Sequence, residues 1–496
     1  MKAPIPMEDS LPSEGRPAFF TSCLLVLAAS TLLVASTYRL SESPGIWTDE
    51  GVYTQLGMNV AQTGHLAIQV APKEYDYSSY ISVGYPLIYP LALSYRLFGV
   101  GVVQGRIVMV VFIFLFAFSS YWLIRQLFGP RIGAWSTLIL ASFPMLYGNG
   151  KSVLGEIPGL FFCIVTLVSL FYLEKSKYRD WRWYAATGLV AGICVATKPV
   201  FLLIGGALFL TFLVKRKKIS LSWSGFLCGV IACMVPVGYW LYTQLGPDVT
   251  LRSLLTDYVN PYAGQQGYTL ILQNALRFFT ETTPLYTALL IGVWAVALLL
   301  RRKVKSVSAA ELSAFFFCLL IVAAYLRLPG WYRYLFPATI TALLFLPSAT
   351  ITVFEFMKKK LSFFKNYTWL PYVALGLLFC AQLHQTAFSS YVAQYYSSTR
   401  THDVMAAFAQ ELSPSDTVFL YDVPELAVLL PTHNYYQYVQ LSSAITLGTD
   451  QLPVLQKGIP DLVVTEAGPY TADPASFARY KLFKTVDRYE ILKRTP

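Results

Sequence analysis

What most limits the fold of this chain is a succession of apolar stretches, each close to the length that crosses a bilayer. Eleven of them follow one another at 18–38, 102–124, 132–148, 157–173, 183–197, 199–214, 222–242, 285–300, 310–328, 334–353 and 369–388. A helix rises 1.5 Å per residue, so about 20 apolar residues span the hydrocarbon core, with a lower limit near 17. The pair on either side of Lys198-Pro199 is short and reads equally well as one broken hairpin. Only 13% of the residues are charged and 55% are hydrophobic, whereas soluble chains carry about a quarter charged residues. These features predict an α-helical polytopic membrane protein with about eleven transmembrane helices. The first run is long and has no small-residue cleavage site before Ser41, so it reads as a retained anchor, not a signal peptide.

A net charge of +11 raises the possibility of nucleic-acid binding, but the distribution of charge argues against it. From Arg400 onward there are 8 basic and 11 acidic residues, so the excess lies in the apolar region. With the N-terminus inside, the inner loops RQLFGPR, EKSKYRDWRW, KRKK, RRKVK and EFMKKKLSFFK hold 18 Lys and Arg, against nine in the outer loops. That bias follows the positive-inside rule and fixes the frame. The segment 85–99, YPLIYPLALSYRLFG, would reverse the frame if it crossed, so it is placed as an interfacial helix on the outer face. All seven cysteines fall within apolar runs, which leaves the polar loops and tail without a disulfide framework or a Cys-based metal site.

Three pieces then face outward: a first loop at 39–101, a loop at 243–284 and a tail from 390. The chain is expected to divide into a membrane domain, 1–389, and a small C-terminal extracytoplasmic α/β domain, 390–496. In the tail, THDVMAAFAQEL places Val404, Phe408 and Leu412 on one helical face. DTVFLYD, PDLVVTE and RYEILKR read as strands bounded by turn residues.

The chemistry is sought in the first loop, at IWTDEGVYTQLGMNVAQTGHLA. Asp49 and Glu50 lie about a dozen residues beyond the first apolar run, and Val52, Tyr53, Leu56 and Val60 follow at the spacing of an amphipathic helix on the outer leaflet. Asp49 could simply cap that helix, with Glu50 complementing its dipole. Alternatively, an acid pair beside lipid could meet a lipid-linked substrate and take a proton from a hydroxyl.

The order of apolar run, DE pair, YTQLGMNVAQTGHL, YPLIYPLALSYRLFGVG and QGRIVMVVFIF resembles the GT-C membrane glycosyltransferases. It is most similar to the branch containing protein O-mannosyltransferases and the aminoarabinose transferase of lipid A. GKSVLGEIPGLFF resembles the family's second outer acidic motif, with Glu156 where many members have Asp. ATKPVFLL resembles its Lys-Gly-Pro segment, and GWYRYLFPATITALLFL its late Arg-Tyr segment. One departure is that Gly84-Tyr85 precedes Pro86, where several relatives have a lysine.

The resemblance implies transfer of a sugar from a polyprenyl-phosphate donor to an acceptor hydroxyl on the outer face, with inversion. The acceptor could be protein, lipid or polysaccharide. Asp49 would be the base, Glu50 and Glu156 would position hydroxyls, and Arg333, Lys198 and Lys151 would hold the donor phosphate. Arg106 is a weaker candidate for the phosphate. No metal is implied: the four histidines are scattered, and three acids are few for a hard-cation cage, although a divalent ion is conceivable. No other cofactor and no nucleic acid are expected, and the protein is placed in the inner or plasma membrane. The competing reading is a secondary transporter or lipid-linked-sugar flippase, which would be expected to keep ionisable residues near the middle of its helices.

Overall fold

The computed structural model describes residues 15–77, 83–216, 222–245, 250–252, 267–302, 307–442, 445–448, 452–468 and 475–495. The middle of the expected outer loop 243–284 lies outside these residues. Each of the eleven apolar runs forms helix. The elements before the second long helix are α1 (Gly15–Thr37), α2 (Thr48–Gln62), the hairpin β1 (Ile68–Ala71) and β2 (Glu74–Asp76), and α3 (Tyr85–Phe98). Then come α4 (Val102–Phe128), α5 (Pro130–Ser142), α6 (Pro144–Gly150), α7 (Glu156–Lys175) and α8 (Trp181–Thr197). A 3-10 turn at Pro199–Leu202 leads into α9 (Leu203–Lys215) and α10 (Trp223–Gln244). After these lie α11 (Tyr268–Thr280), α12 (Thr282–Arg302), α13 (Ala309–Tyr325), α14 (Tyr332–Lys360) and α15 (Leu370–His384).

Six of these helices, α1, α4, α7, α10, α12 and α14, are long and apolar enough to cross a bilayer, and 199–215 and 309–325 are shorter apolar stretches. Two breaks have a local cause. The run 132–148 divides at Phe143, which is extended (φ −77°, ψ 117°) ahead of Pro144. α8 ends at Lys198, extended at φ −159° and ψ 134° ahead of Pro199. In both cases the proline ring clashes with a helical residue before it.

The tail forms α16 (Arg400–Glu411), β3 (Val418–Tyr421), β4 (Tyr435–Ser442), β5 (Ile445–Leu447), α17 (Leu452–Gln456), β6 (Leu462–Glu466), β7 (Tyr480–Val486) and β8 (Tyr489–Arg494). The sheet runs β5-β4-β3-β6-β8-β7. β3 pairs parallel with β4 and β6, whereas β8 pairs antiparallel with β6 and β7. Side chains alternate across a strand, so Val418 and Leu420 join the main core while Phe419 packs with Val463, Phe477 and Leu492 on the other face. The main core is continuous from the membrane helices through α2 into this sheet.

That continuity corrects one expectation. α2 does not lie on a surface, for Glu50 through Asn59 are all buried. α3 packs on one side of it, and the turn Pro424–Leu429 of the C-terminal unit packs on another. The polar side of α2 is buried through hydrogen bonds: the Gln55 amide donates to the Pro424 carbonyl at 2.9 Å, and Gln437 donates back to Gln55 at 2.8 Å. A further clamp is Glu42, whose carboxylate accepts from Thr401 N at 3.0 Å and His402 N at 3.1 Å. These amides open α16, where a negative charge is favourable.

Gly51 is required by this seam. A Cβ there would fall 2.3 Å from the Glu425 backbone, which has no rotamer with which to yield. Gly51→Ala is expected to cost about 1–3 kcal/mol, the range for overpacking. The check is the midpoint of thermal unfolding in detergent, and an unchanged midpoint would contradict the packing described.

Candidate active site

Asp49 and Glu50 occupy the first turn of α2, which begins after the extended residue Trp47. Successive helical residues are rotated by about 100°, so the two carboxylates point different ways. Asp49 does not cap the helix: the N-cap is Trp47, without a side-chain hydrogen bond. Instead Asp49 Oδ2 accepts from Arg333 Nη1, in the first turn of α14. This pair is partly open, with side-chain exposures of 24% for Asp49 and 16% for Arg333. Three rings surround the guanidinium, with centroids at 5.2 Å for Trp47, 4.8 Å for Trp331 and 5.2 Å for Tyr334. Arg333 Nε is buried and has no hydrogen-bond partner among the described residues.

Glu50 turns inward. Both its oxygens accept from Arg106, at 2.8 Å from Nε and 2.7 Å from Nη2, and the two side chains are fully buried. Val153 N adds a third hydrogen bond to Oε1 at 3.1 Å, and Arg106 Nη1 also donates to the Leu40 carbonyl at 2.9 Å. A carboxylate held in this way ties the start of α2 to α4 and to the segment before α7; it offers no free edge to a ligand. Arg106 is likewise consumed by this pair.

Lys151 lies close by, buried between α6 and α7, with Nζ donating to the Tyr38 carbonyl at 2.7 Å. Burial pushes its ammonium down to about 7, and the charge of Arg106 adds to the effect. The unfolded chain therefore holds a proton on this lysine that the folded chain releases between pH 7 and the ordinary value of 10.5. Stability should rise with pH across that window and lack this contribution below it. The pH dependence of the unfolding midpoint is the check: Lys151→Met is expected to flatten the rise, and the same slope in both proteins would contradict it.

Glu156 opens α7, and its Oε1 accepts from Lys198 Nζ at 2.6 Å in a buried pair. Glu156 Oε2 is buried without a hydrogen-bond partner among the described residues. Pro199 sets this geometry by ending α8 and extending Lys198. Gly84 N donates to the Thr197 carbonyl at 3.1 Å, and a Cβ on Gly84 would lie 2.0 Å from the Ala196 oxygen. The glycine at 84 thus lets the start of α3 press against the end of α8, beside Lys198.

The structure therefore brings Asp49, Arg333, Glu156 and Lys198 together, since Glu156 and Tyr53 lie within electrostatic reach of Arg333. Glu50, Arg106 and Lys151 form a second, inner cluster behind them. Sequence reasoning missed the Glu50–Arg106 pair and the rings around Arg333. The available signal was Arg106 itself, an ionisable residue within an apolar run, which asks for a partner. Among the described residues, no group of three or more His, Cys, Asp or Glu could hold a metal.

This arrangement of apolar helices and C-terminal sheet is shared with membrane proteins of known structure. The chain has the fold of the GT-C membrane glycosyltransferases and resembles the protein O-mannosyltransferase branch, for residues 86–240 match the family described as dolichyl-phosphate-mannose-protein mannosyltransferase. Among solved structures, ArnT from Cupriavidus metallidurans superposes with a TM-score of 0.61 at 16% identity, covering 96% of this chain and 98% of that one, in the apo state and bound to undecaprenyl phosphate. The oligosaccharyltransferase of Archaeoglobus fulgidus, tethered to an acceptor peptide with an NVT sequon, superposes with a TM-score of 0.54 at 13% identity, covering 93% of this chain and 70% of its own. No curated protein matches the sequence significantly.

Proposed function

We propose that this protein is a multi-pass membrane glycosyltransferase that moves a sugar from a polyprenyl-phosphate donor to an acceptor hydroxyl at the outer face. The observation that carries the reading is the Asp49–Arg333 pair, a base and a phosphate-binding cation on adjoining helix starts, partly open to solvent. In this reading residues 1–389 form the catalytic membrane domain and 390–496 an outer domain, with the N-terminus in the cytoplasm of a cell whose inner or plasma membrane holds the protein. Support for the donor class comes from ArnT, a protein of the same fold whose structure contains undecaprenyl phosphate.

The reaction is written as a single displacement with inversion. The acceptor oxygen bonds to the sugar's anomeric carbon through an oxocarbenium-like transition state while the carbon–oxygen bond to phosphate breaks. The acceptor proton passes to Asp49, and the phosphate keeps the bonding electrons as its charge grows. Arg333 receives that charge with a fork matched to two phosphate oxygens. Lys198 adds positive potential, Lys151 stays behind in the inner cluster, and Glu156 holds a sugar or acceptor hydroxyl through its unpartnered oxygen. Glu50, engaged by Arg106, acts by holding the start of α2 in place.

Pairing also suggests an order of events. A carboxylate engaged by Arg333 is not free to meet an acceptor hydroxyl, so an arriving donor phosphate that draws Arg333 away frees Asp49 only when there is something to react. The test is purified protein in lipid discs, supplied with undecaprenyl-phosphate sugars and a panel of protein, lipid and polysaccharide acceptors. The expected products are a glycoside of inverted configuration and free undecaprenyl phosphate. Failure to release undecaprenyl phosphate from every donor would contradict the proposal.

A further inference from the structure

At the far end of α2 from Asp49, the first loop and the C-terminal unit line an open cavity of about 510 Å³. Gln62 and Thr63 come from the end of α2, Lys73 and Tyr75 from the β1-β2 hairpin, and His433 and Asn434 are the two residues before β4. The floor is a fixed seam. Buried Gln69 donates to the His433 carbonyl at 2.9 Å and to the Tyr435 carbonyl at 3.1 Å, which locks the hairpin onto β4. Tyr75 is held by a stacked His65 ring at 4.5 Å. Lys73 sits at the hairpin tip with φ +68°, the left-handed conformation that so tight a turn requires, which holds its side chain at the mouth of the cavity.

The lining is amide, hydroxyl, aromatic and cationic, and it contains no carboxylate. Amides and hydroxyls bond sugar hydroxyls in both directions, an aromatic face covers a sugar's C–H face, and the lysine supplies a point positive charge. We infer that this cavity is a second binding site, for an anionic saccharide bearing a carboxylate or phosphate group. Gln62 lies thirteen residues beyond Asp49 on one helix, which is about 20 Å along its axis. A ligand reaching both places is therefore a chain and not a single sugar, and it is the part of a glycan acceptor remote from the reacting hydroxyl. That last role rests on the glycosyltransferase reading; binding does not.

The experiment is calorimetric titration of the full chain in detergent with tetragalacturonate and with neutral maltotetraose. Tetragalacturonate is expected to bind, and more tightly than maltotetraose. Lys73→Asn removes the charge while keeping a residue that tolerates positive φ. It should weaken tetragalacturonate about tenfold or more, the usual effect of losing a hydrogen bond to a charged group, and His433→Gln should weaken it less. Asp49→Asn should leave this binding unchanged, so loss of transfer and loss of the site are read separately. Absence of tetragalacturonate binding, equal affinity for maltotetraose, or an affinity unmoved by both Lys73→Asn and His433→Gln would overturn the inference.

Discussion

Asp49→Asn is expected to lower the rate of sugar transfer by about 10²- to 10⁴-fold, the contribution of a well-placed general base. The substitution keeps shape and removes the ability to take a proton. Asp49 is partly exposed and, among the described residues, its only polar partner is Arg333, so the fold should survive: the unfolding midpoint should stay close to that of the unaltered protein. Asp49→Glu, which keeps the charge but moves it by one methylene, should retain more activity than the asparagine variant. Comparable transfer by the asparagine variant and the unaltered protein would remove Asp49 from the reaction.

Its sequence neighbour should behave in the opposite way. Glu50→Leu or Arg106→Leu each leaves an uncompensated charge at a site where both side chains are fully buried. Breaking such a pair costs about 3–5 kcal/mol. In Glu50→Leu the Val153 amide also loses its acceptor, and in Arg106→Leu the Leu40 carbonyl loses its donor. The double variant orphans those two backbone groups, at about 1–3 kcal/mol each, but strands no charge. It should therefore be no less stable than either single variant, which is the signature of strong coupling in a double-mutant cycle. Thermal unfolding of the four proteins in detergent is the measurement. Single substitutions that cost little, or effects that simply add, would show that the pair does not hold α2.

This contrast explains what could be read from the residues and what could not. Apolar runs became helices because length and composition decide that outcome locally, and the proline breaks at Pro144 and Pro199 were equally local. The two acids were visible as a pair, but their different fates were set by residues far along the chain, Arg106 for Glu50 and Arg333 for Asp49. The burial of α2 was hidden for a related reason. Its apolar residues suggested one wet face, yet that face carries Gln55, which is buried against Gln437 and Pro424 through amide hydrogen bonds. Periodicity reads apolar burial and is blind to polar burial. In the tail, β3, β6 and β8 stood out as apolar runs, whereas β4 and β7 carry Gln437, Gln440, Lys481 and Lys484 and became strands through pairing with their neighbours.

Of the six site residues chosen from sequence, Asp49, Glu156, Arg333 and Lys198 converge, while Glu50 and Lys151 lie in the inner cluster. The convergence is of opposite charges, so Arg333 and Lys198 each already hold a carboxylate. Donor binding then has a cost, the loss of an ion pair, and a consequence, the release of a base.

The most direct test of this account is the affinity for undecaprenyl phosphate, titrated into lipid discs carrying the unaltered protein, Asp49→Asn or Arg333→Ala. Since the carboxylate and the phosphate compete for one guanidinium, Asp49→Asn is expected to bind at least as tightly as the unaltered protein. Arg333→Ala is expected to bind about ten- to a hundredfold more weakly, the loss of a charge-assisted contact. Equal affinity in all three, or weaker binding by Asp49→Asn, would contradict the exchange of partners on which the account depends.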